Sequence, residues 1–221
     1  MADAAGSLSP AQRAFVDLLV ERKALKFGDF TLKSGRKSPY FINTGCFHQG
    51  ADLSALGAAY ADAIRRRFGD GVQAIFGPAY KGIPLALATA QAYQALVGHP
   101  VGWAFDRKEA KDHGDVGLFV GCPLTPGLPV VVVDDVITAG TAVRETMAKL
   151  APLKLAVQGV LVAVDRQERG QSAQSAVEEL AAAFAMPVFS TITITEAADY
   201  LLGSGRMSAE ERARIAAYLG R

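Results

Sequence analysis

The chain has 221 residues, half of them apolar and a fifth charged, and this composition is typical of one globular domain with a sizeable core. The formal net charge is +1, so we expect neither nucleic acid nor a membrane as a partner, and any anion must be bound by local groups. Cys46 and Cys122 form neither a disulfide framework nor a CxxC metal spacing, and the first residues do not resemble a signal peptide. We therefore expect a cytoplasmic protein.

The first part of the chain is predicted to form a helix and a β-hairpin. Ser9 followed by Pro10 is typical of a helix start. The stretch "FTLKSGRKSPYFIN", residues 30–43, has two β-prone segments around a basic turn, which indicates a hairpin. A second helix is expected from about Asp52 to Phe68. Its apolar face would carry Leu53, Leu56, Tyr60 and Ile64.

From residue 73 onwards, apolar strand-like segments alternate with helical segments. The predicted strands are "QAIFGP" (73–78), "VGWAFD" (101–106), "PVVVVDD" (129–135), "AVQGVLVAVD" (156–165) and "PVFSTITI" (187–194). The predicted helices are "IPLALATAQAYQALV" (83–97), "AVRETMAKL" (142–150) and "AQSAVEELAAAF" (173–184), with a final helix from Ser208. This alternation predicts an α/β fold whose central, mainly parallel sheet is flanked by helices. Trp103, inside a predicted strand, is expected in the core.

The stretch "VVVVDDVITAGTA", residues 130–142, places two acids at the end of an apolar strand. Ligands of open parallel sheets bind beyond the carboxyl ends of the strands, so Asp134 and Asp135 should face a binding crevice. The following turn can direct backbone amides and hydroxyls at a phosphate, and the helix that begins near Ala142 adds the positive end of its dipole. The acids would accept hydrogen bonds from sugar hydroxyls or hold a metal through water. Together these groups predict a site for a ribose 5-phosphate.

An alternative for the two acids is structural, because an aspartate after a strand often caps the next helix. The whole string is more specific than the acid pair. It resembles the phosphoribosyl pyrophosphate (PRPP) motif of type I phosphoribosyltransferases. By this resemblance, seven consecutive residues would hold the 5'-phosphate: Val136, Ile137, Thr138, Ala139, Gly140, Thr141 and Ala142.

Four further stretches resemble one branch of that family, the orotate phosphoribosyltransferases. They are "FTLKSGRKSPYF", "GPAYKGIP", "RKEAKDHG" and "VDRQERG", and they occur in the family's order between residues 30 and 170. The resemblance implies transfer of the phosphoribosyl group of PRPP to orotate, with Mg²⁺ and in a homodimer that shares lid residues. It also implies one domain over residues 1–221, with a hood mainly in 1–50, a core in about 51–200 and a C-terminal helix at 206–220.

The segment from Arg107 to Gly121 is predicted to be a mobile polar lid, since little of it can be buried. Its cations would neutralise the departing pyrophosphate and exclude water from the reacting sugar. By the resemblance, Lys111 is the main catalytic lysine, beside Asp134 and Asp135. The further ligands of PRPP and its pyrophosphate would be Lys33, Tyr80, Lys81, Arg107, Lys108, Lys111 and His113. The alternative for the run is a solvated charged loop.

Orotate is a planar anion and needs a partner for its carboxylate. Arg166, just after a predicted strand, offers a planar fork of N–H groups at the same crevice, although a surface ion pair with Asp165 or Glu168 is the alternative. The remaining contacts would come from Lys33, Phe41, Ile42 and Thr138. Ile42 replaces an aromatic residue found in many relatives, which would matter if a ring had to stack on the base.

Two other functions remain open from the sequence. A purine phosphoribosyltransferase of the same fold would need an aromatic-lined hood and would make little use of Arg166. A PRPP-sensing regulator could keep the acidic motif without catalysis, but here the lid cations are present and no basic domain for nucleic acid is added.

Overall fold

The computed structural model describes residues 8–32, 35–111, 117–137, 140–168 and 174–220, with the backbone alone for 109–111. The chain starts with helix α1 (Pro10–Glu21) and strands β1 (Leu25–Thr31) and β2 (Lys37–Ile42), which pair antiparallel as a separate two-stranded sheet. The Ser9 hydroxyl accepts the amide of Gln12, which caps α1. The predicted helix start and hairpin are thereby confirmed.

Six further strands form the central sheet in the order β5-β4-β3-β6-β7-β8. They are β3 (Ala74–Phe76), β4 (Gly102–Lys111), β5 (Gly117–Gly121), β6 (Pro129–Asp134), β7 (Ala156–Asp165) and β8 (Val188–Thr193). All neighbours pair parallel except β4 and β5, which are antiparallel. The predicted α/β fold with a mainly parallel sheet is confirmed.

Helices cover both faces of this sheet. They are α2 (Gly50–Phe68), α3 (Gly82–Val97), α4 (Thr141–Leu150), α5 (Ala176–Phe184) and α6 (Ile194–Gly203). The last helix, α7 (Ala209–Leu219), packs on α6 and on β2 of the hairpin. The valines of β6 divide between two cores because successive side chains point to opposite faces. Val131 and Val133 pack with α2 and α3, whereas Val130 and Val132 pack with α4 and α5. A continuous valine run is thus explained by burial on both faces.

Helix α6 was missed by the sequence analysis, which extended the last strand to Ile194. Strand β8 ends at Thr193, whose hydroxyl accepts the amide of Glu196, while the Glu196 carboxylate accepts the amide of Thr193. This reciprocal capping box starts a helix directly after the strand. None of the described helices is long and apolar enough to cross a membrane.

Two predictions around β4 were wrong. The predicted strand 101–106 is too short, because β4 continues to Lys111 and pairs with β5, whose Phe119 ring contacts Phe76 at 6.0 Å between centroids. Backbone pairing does not depend on side-chain polarity, so a polar sequence can extend a strand. Trp103 is not in the core: it is 37% exposed and stacks on Phe105. Only alternate residues of β4, such as Ala104, face a core.

Candidate active site

The two acids lie at the carboxyl end of β6, as predicted, and both are buried. The Tyr60 hydroxyl donates to the carbonyl of Asp134 at 2.8 Å and fixes the end of the strand. One oxygen of Asp134 accepts the amide of Asp135, and one oxygen of Asp135 accepts the amide of Val136, both at 2.8 Å. Each carboxylate therefore keeps its second oxygen for other groups.

Asp135 uses that second oxygen for two residues from distant parts of the chain. Lys81 Nζ lies 2.6 Å from Oδ2, and the hydroxyl of Thr44 donates to the same atom at 2.8 Å. The Lys81 side chain is 67% exposed, so it can swing away when a ligand arrives. Thr44 was missed; its only sequence signal is the turn with Asn43 and Gly45 just after the hairpin.

Burial changes the pKa of the Asp134 carboxyl. Desolvation, followed by the neighbouring charge of Asp135, raises the pKa of Asp134 to about 6, although the Asp135 amide and the Lys81 ammonium oppose the shift. Above that pH the charged Asp134 carboxylate lies next to the Asp135 carboxylate, with Lys81 beside them. Such a pair is a strong acceptor of hydroxyl hydrogen bonds.

The turn after the acids leads into α4. Ile137 is buried and Val136 is half-buried, so these two residues can offer a ligand only their backbone. Gly140 has φ 74°, and a Cβ there would meet Leu180 at 2.9 Å, which explains the glycine. Thr141 and Ala142 are exposed in the first turn of α4, where amides carry partial positive charge. Thr138 and Ala139 lie outside the described residues.

The loop of Lys81 is held by an acid that sequence analysis missed. The buried carboxylate of Asp106 accepts the amide of Ala79 at 2.8 Å and pairs with Lys149 of α4. Its sequence signal was its place at the end of the predicted strand 101–106, although β4 continues beyond it. Gly77 and Gly82 pack so closely that a Cβ on Gly77 would lie 2.0 Å from a backbone oxygen.

Three of the predicted pyrophosphate ligands lie in the Lys81 loop or in β4: Tyr80, Arg107 and Lys108. Tyr80 is 66% exposed, and Lys108 Nζ lies 4.6 Å from the centre of its ring. Arg107 donates to the carbonyl of Gly117, which links β4 to β5. Lys33, His113 and the side chain of Lys111 lie outside the described part of the chain.

A cavity of about 350 Å³ opens beside the Lys81–Asp135 pair. Thr44 and Asp135 contribute polar walls, and the apolar walls include Phe47, Leu53 and Pro84. The cavity lies between the 3₁₀ turn after the hairpin, the acid at the end of β6 and the start of α3. The crevice expected from the sequence therefore exists beside Asp135.

Arg166 follows β7, and the ion pair considered as its alternative is present: Nη2 lies 2.7 Å from Oε1 of Glu168. The Tyr40 hydroxyl donates to the Arg166 carbonyl, which ties β2 to this strand end. Phe41 is 37% exposed, whereas the Ile42 side chain is buried in the core. A ring at position 42 would point into that core, so only the backbone at Ile42 can face a base.

No group of three or more metal-binding side chains occurs among the residues described. The two aspartates alone do not make a protein cage for Mg²⁺. They do suit an ion bound mainly by substrate phosphates and held by the protein through water, because Mg²⁺ keeps several waters when it binds beside phosphates.

Comparison with known proteins gives one consistent family. Residues 47–181 match the model of the phosphoribosyl transferase domain. An orotate phosphoribosyltransferase of Bifidobacterium longum is 49% identical over 93% of this chain and 94% of its own, and one of Acinetobacter baumannii is 48% identical over 89% and 90%. The crystal structure of orotate phosphoribosyltransferase from Francisella tularensis is 36% identical, with a TM-score of 0.81 over 92% of this chain and 96% of that one.

Proposed function

Since the chain belongs to the orotate phosphoribosyltransferase family, we propose that it transfers the 5-phosphoribosyl group of PRPP to orotate, giving orotidine 5'-monophosphate and pyrophosphate. The observation that carries this proposal is the meeting of Asp134, Asp135 and Lys81 at one sheet edge, close in sequence to the N-terminus of α4.

The acids and the turn would bind the sugar phosphate. Asp134 and Asp135 accept hydrogen bonds from the ribose hydroxyls, which orients the anomeric carbon. The 5'-phosphate lies at the turn 136–142 and the first amides of α4. Lys81 leaves Asp135 when PRPP arrives and pairs with the pyrophosphate, which carries far more negative charge than one carboxylate.

The arm formed by β4 and β5 would act on the leaving group. Arg107, Lys108, Lys111 and His113 bring positive charge to the departing pyrophosphate, with Lys111 as the principal catalytic lysine. Closure of the arm excludes water, which would otherwise capture an electron-poor ribosyl centre.

When bound, Mg²⁺ would neutralise pyrophosphate charge and assist its departure. Asp134 and Asp135 are the residues that would hold the ion, through water, while accepting the ribose hydroxyls.

Orotate would lie between the hairpin and the ends of β6 and β7. Arg166 binds its carboxylate, and the backbone at Phe41 and Ile42 meets the ring, with Lys33 and Thr138 completing the contacts. Arg166→Ala should chiefly raise the KM for orotate, because its partner is the base; an effect confined to PRPP would contradict this placement.

We further propose a homodimer in the cytoplasm. Trp103 is exposed and stacks on the half-buried Phe105 at 6.1 Å with the rings nearly parallel, and such an aromatic surface suits an interface between copies of the chain. The free thiols of Cys46 and Cys122 suit a reducing compartment.

The deciding experiment follows pyrophosphate release with Mg²⁺ and PRPP, offering orotate, uracil, adenine and hypoxanthine side by side. We expect turnover with orotate. Turnover with a purine but not with orotate would contradict the proposal, and tight PRPP binding without turnover on any base would indicate a regulator.

A further inference from the structure

Glu168 stands at the centre of an ion-pair cluster behind Arg166. Its Oε1 accepts Nη2 of Arg166 at 2.7 Å, Nε of the same guanidinium at 3.2 Å, and the Tyr40 hydroxyl at 3.0 Å. Its other oxygen pairs with Arg36 of the hairpin turn. The Glu168 carboxylate thus joins the end of β7 to Tyr40 in β2 and to Arg36 in the hairpin turn.

This arrangement fixes the plane of the Arg166 guanidinium. The side chains of Arg166 and Glu168 are only 16% and 13% exposed, so water competes weakly for their hydrogen bonds. Glu168 engages two of the five N–H donors of Arg166, and the others can serve a second carboxylate. The Tyr40 ring lies 5.7 Å from the guanidinium carbon and supports it from one side.

The charge of the cluster favours one more anion. Arg36 and Arg166 carry two positive charges, and Glu168 supplies one negative charge. A planar anion that reaches Arg166 would meet its remaining N–H donors and offset part of this positive charge. The ion pair is therefore compatible with a binding role for Arg166.

We infer that Glu168 is a positioning residue for the base: it holds Arg166 in the orientation that receives the carboxylate of orotate, while Tyr40 and Arg36 hold Glu168. The inference rests on the proposed function and deepens it. Its rival is that Glu168 competes with the substrate, in which case its removal would strengthen orotate binding.

The test is Glu168→Gln in the full chain, with KM measured separately for orotate and for PRPP. The amide keeps the length of the side chain but loses the charge that orders both arginines. We expect the KM for orotate to rise on the order of tenfold, with the KM for PRPP and kcat changed by less than about twofold. Tyr40→Phe removes the hydroxyl that Glu168 shares with the Arg166 carbonyl and keeps the ring, and it should raise the orotate KM by less.

Glu21→Gln, the same chemical change on an exposed helix residue, serves as the control and should alter neither KM. Equal changes in both KM values, or an unchanged or lower orotate KM, would overturn the positioning role. Absence of orotate turnover in the wild-type protein would instead reject the proposed function, so the two failures are distinguishable.

Discussion

At the scale of single residues, the charge of Asp134 should favour PRPP binding but lowers the stability of the folded protein. Its folded-state pKa is about 6, against 3.8 for an ordinary aspartate, so the folded protein binds this proton more tightly than the unfolded chain. The charged form therefore costs about 3 kcal/mol of stability above pH 6, and this cost disappears as the pH falls from 6 towards 4.

Asp134→Asn should accordingly raise the free energy of unfolding at pH 7.5 and weaken PRPP binding. The amide oxygen can still accept the amide of Asp135, so the backbone contact is kept. Denaturant unfolding at pH 7.5 and at pH 4.5 measures the effect, and the gain should shrink at the lower pH. Asp70→Asn, in an exposed ion pair with Arg65, is the control and should change stability by less than about 1 kcal/mol. A variant less stable than the wild type at pH 7.5 would contradict the assignment.

Lys111 provides a kinetic prediction at the same scale. Lys111→Ala should lower kcat roughly 100-fold or more while leaving orotate binding nearly unchanged, because its charge would act on the departing pyrophosphate. Steady-state kinetics with each substrate varied gives the comparison. Lys26→Ala, on the exposed face of β1, is the matched control. An unchanged kcat would remove Lys111 from the mechanism.

At the scale of elements, features encoded in local sequence could be predicted, whereas contacts between residues far apart in the chain could not. The division of the β6 valines between two cores follows from the period of a strand, and the cap at Ser9 follows from residue type. The start of α6 was also encoded, as Thr193 followed three residues later by Glu196, but a β-prone run hid it. Thr44 reaches Asp135 across 91 positions, and no local pattern contains such a contact.

Helix α6 should depend on this cap. Thr193→Ala removes the hydroxyl that accepts the Glu196 amide, and we expect a loss of about 1 kcal/mol in the free energy of unfolding with kinetic constants unchanged. Thr193→Ser keeps the acceptor and should retain most of the stability. Equal losses in the two variants would show that packing of the methyl group matters more than the cap.

At the scale of the whole molecule, the proposed homodimer makes a prediction about assembly. Trp103→Glu places a charge on the exposed ring that stacks on Phe105 and should shift the protein to monomers in light scattering and sedimentation. Leu202→Glu changes a similarly exposed apolar residue on α6 and should leave the assembly unchanged. A wild-type monomer at assay concentrations would contradict the dimer directly.

The sharing of lids makes a stronger prediction than assembly alone. If Lys111 acts in the partner's site, a dimer of one Lys111→Ala chain and one Asp134→Asn chain contains one site with both residues intact. Random exchange of the two impaired variants should then restore about a quarter of wild-type activity above their own residual activities, since half of the dimers are mixed and each has one working site. If Lys111 acts within its own chain, every site in every mixture lacks one residue. The measured activity after subunit exchange therefore decides whether the arm of one copy completes the site of the other.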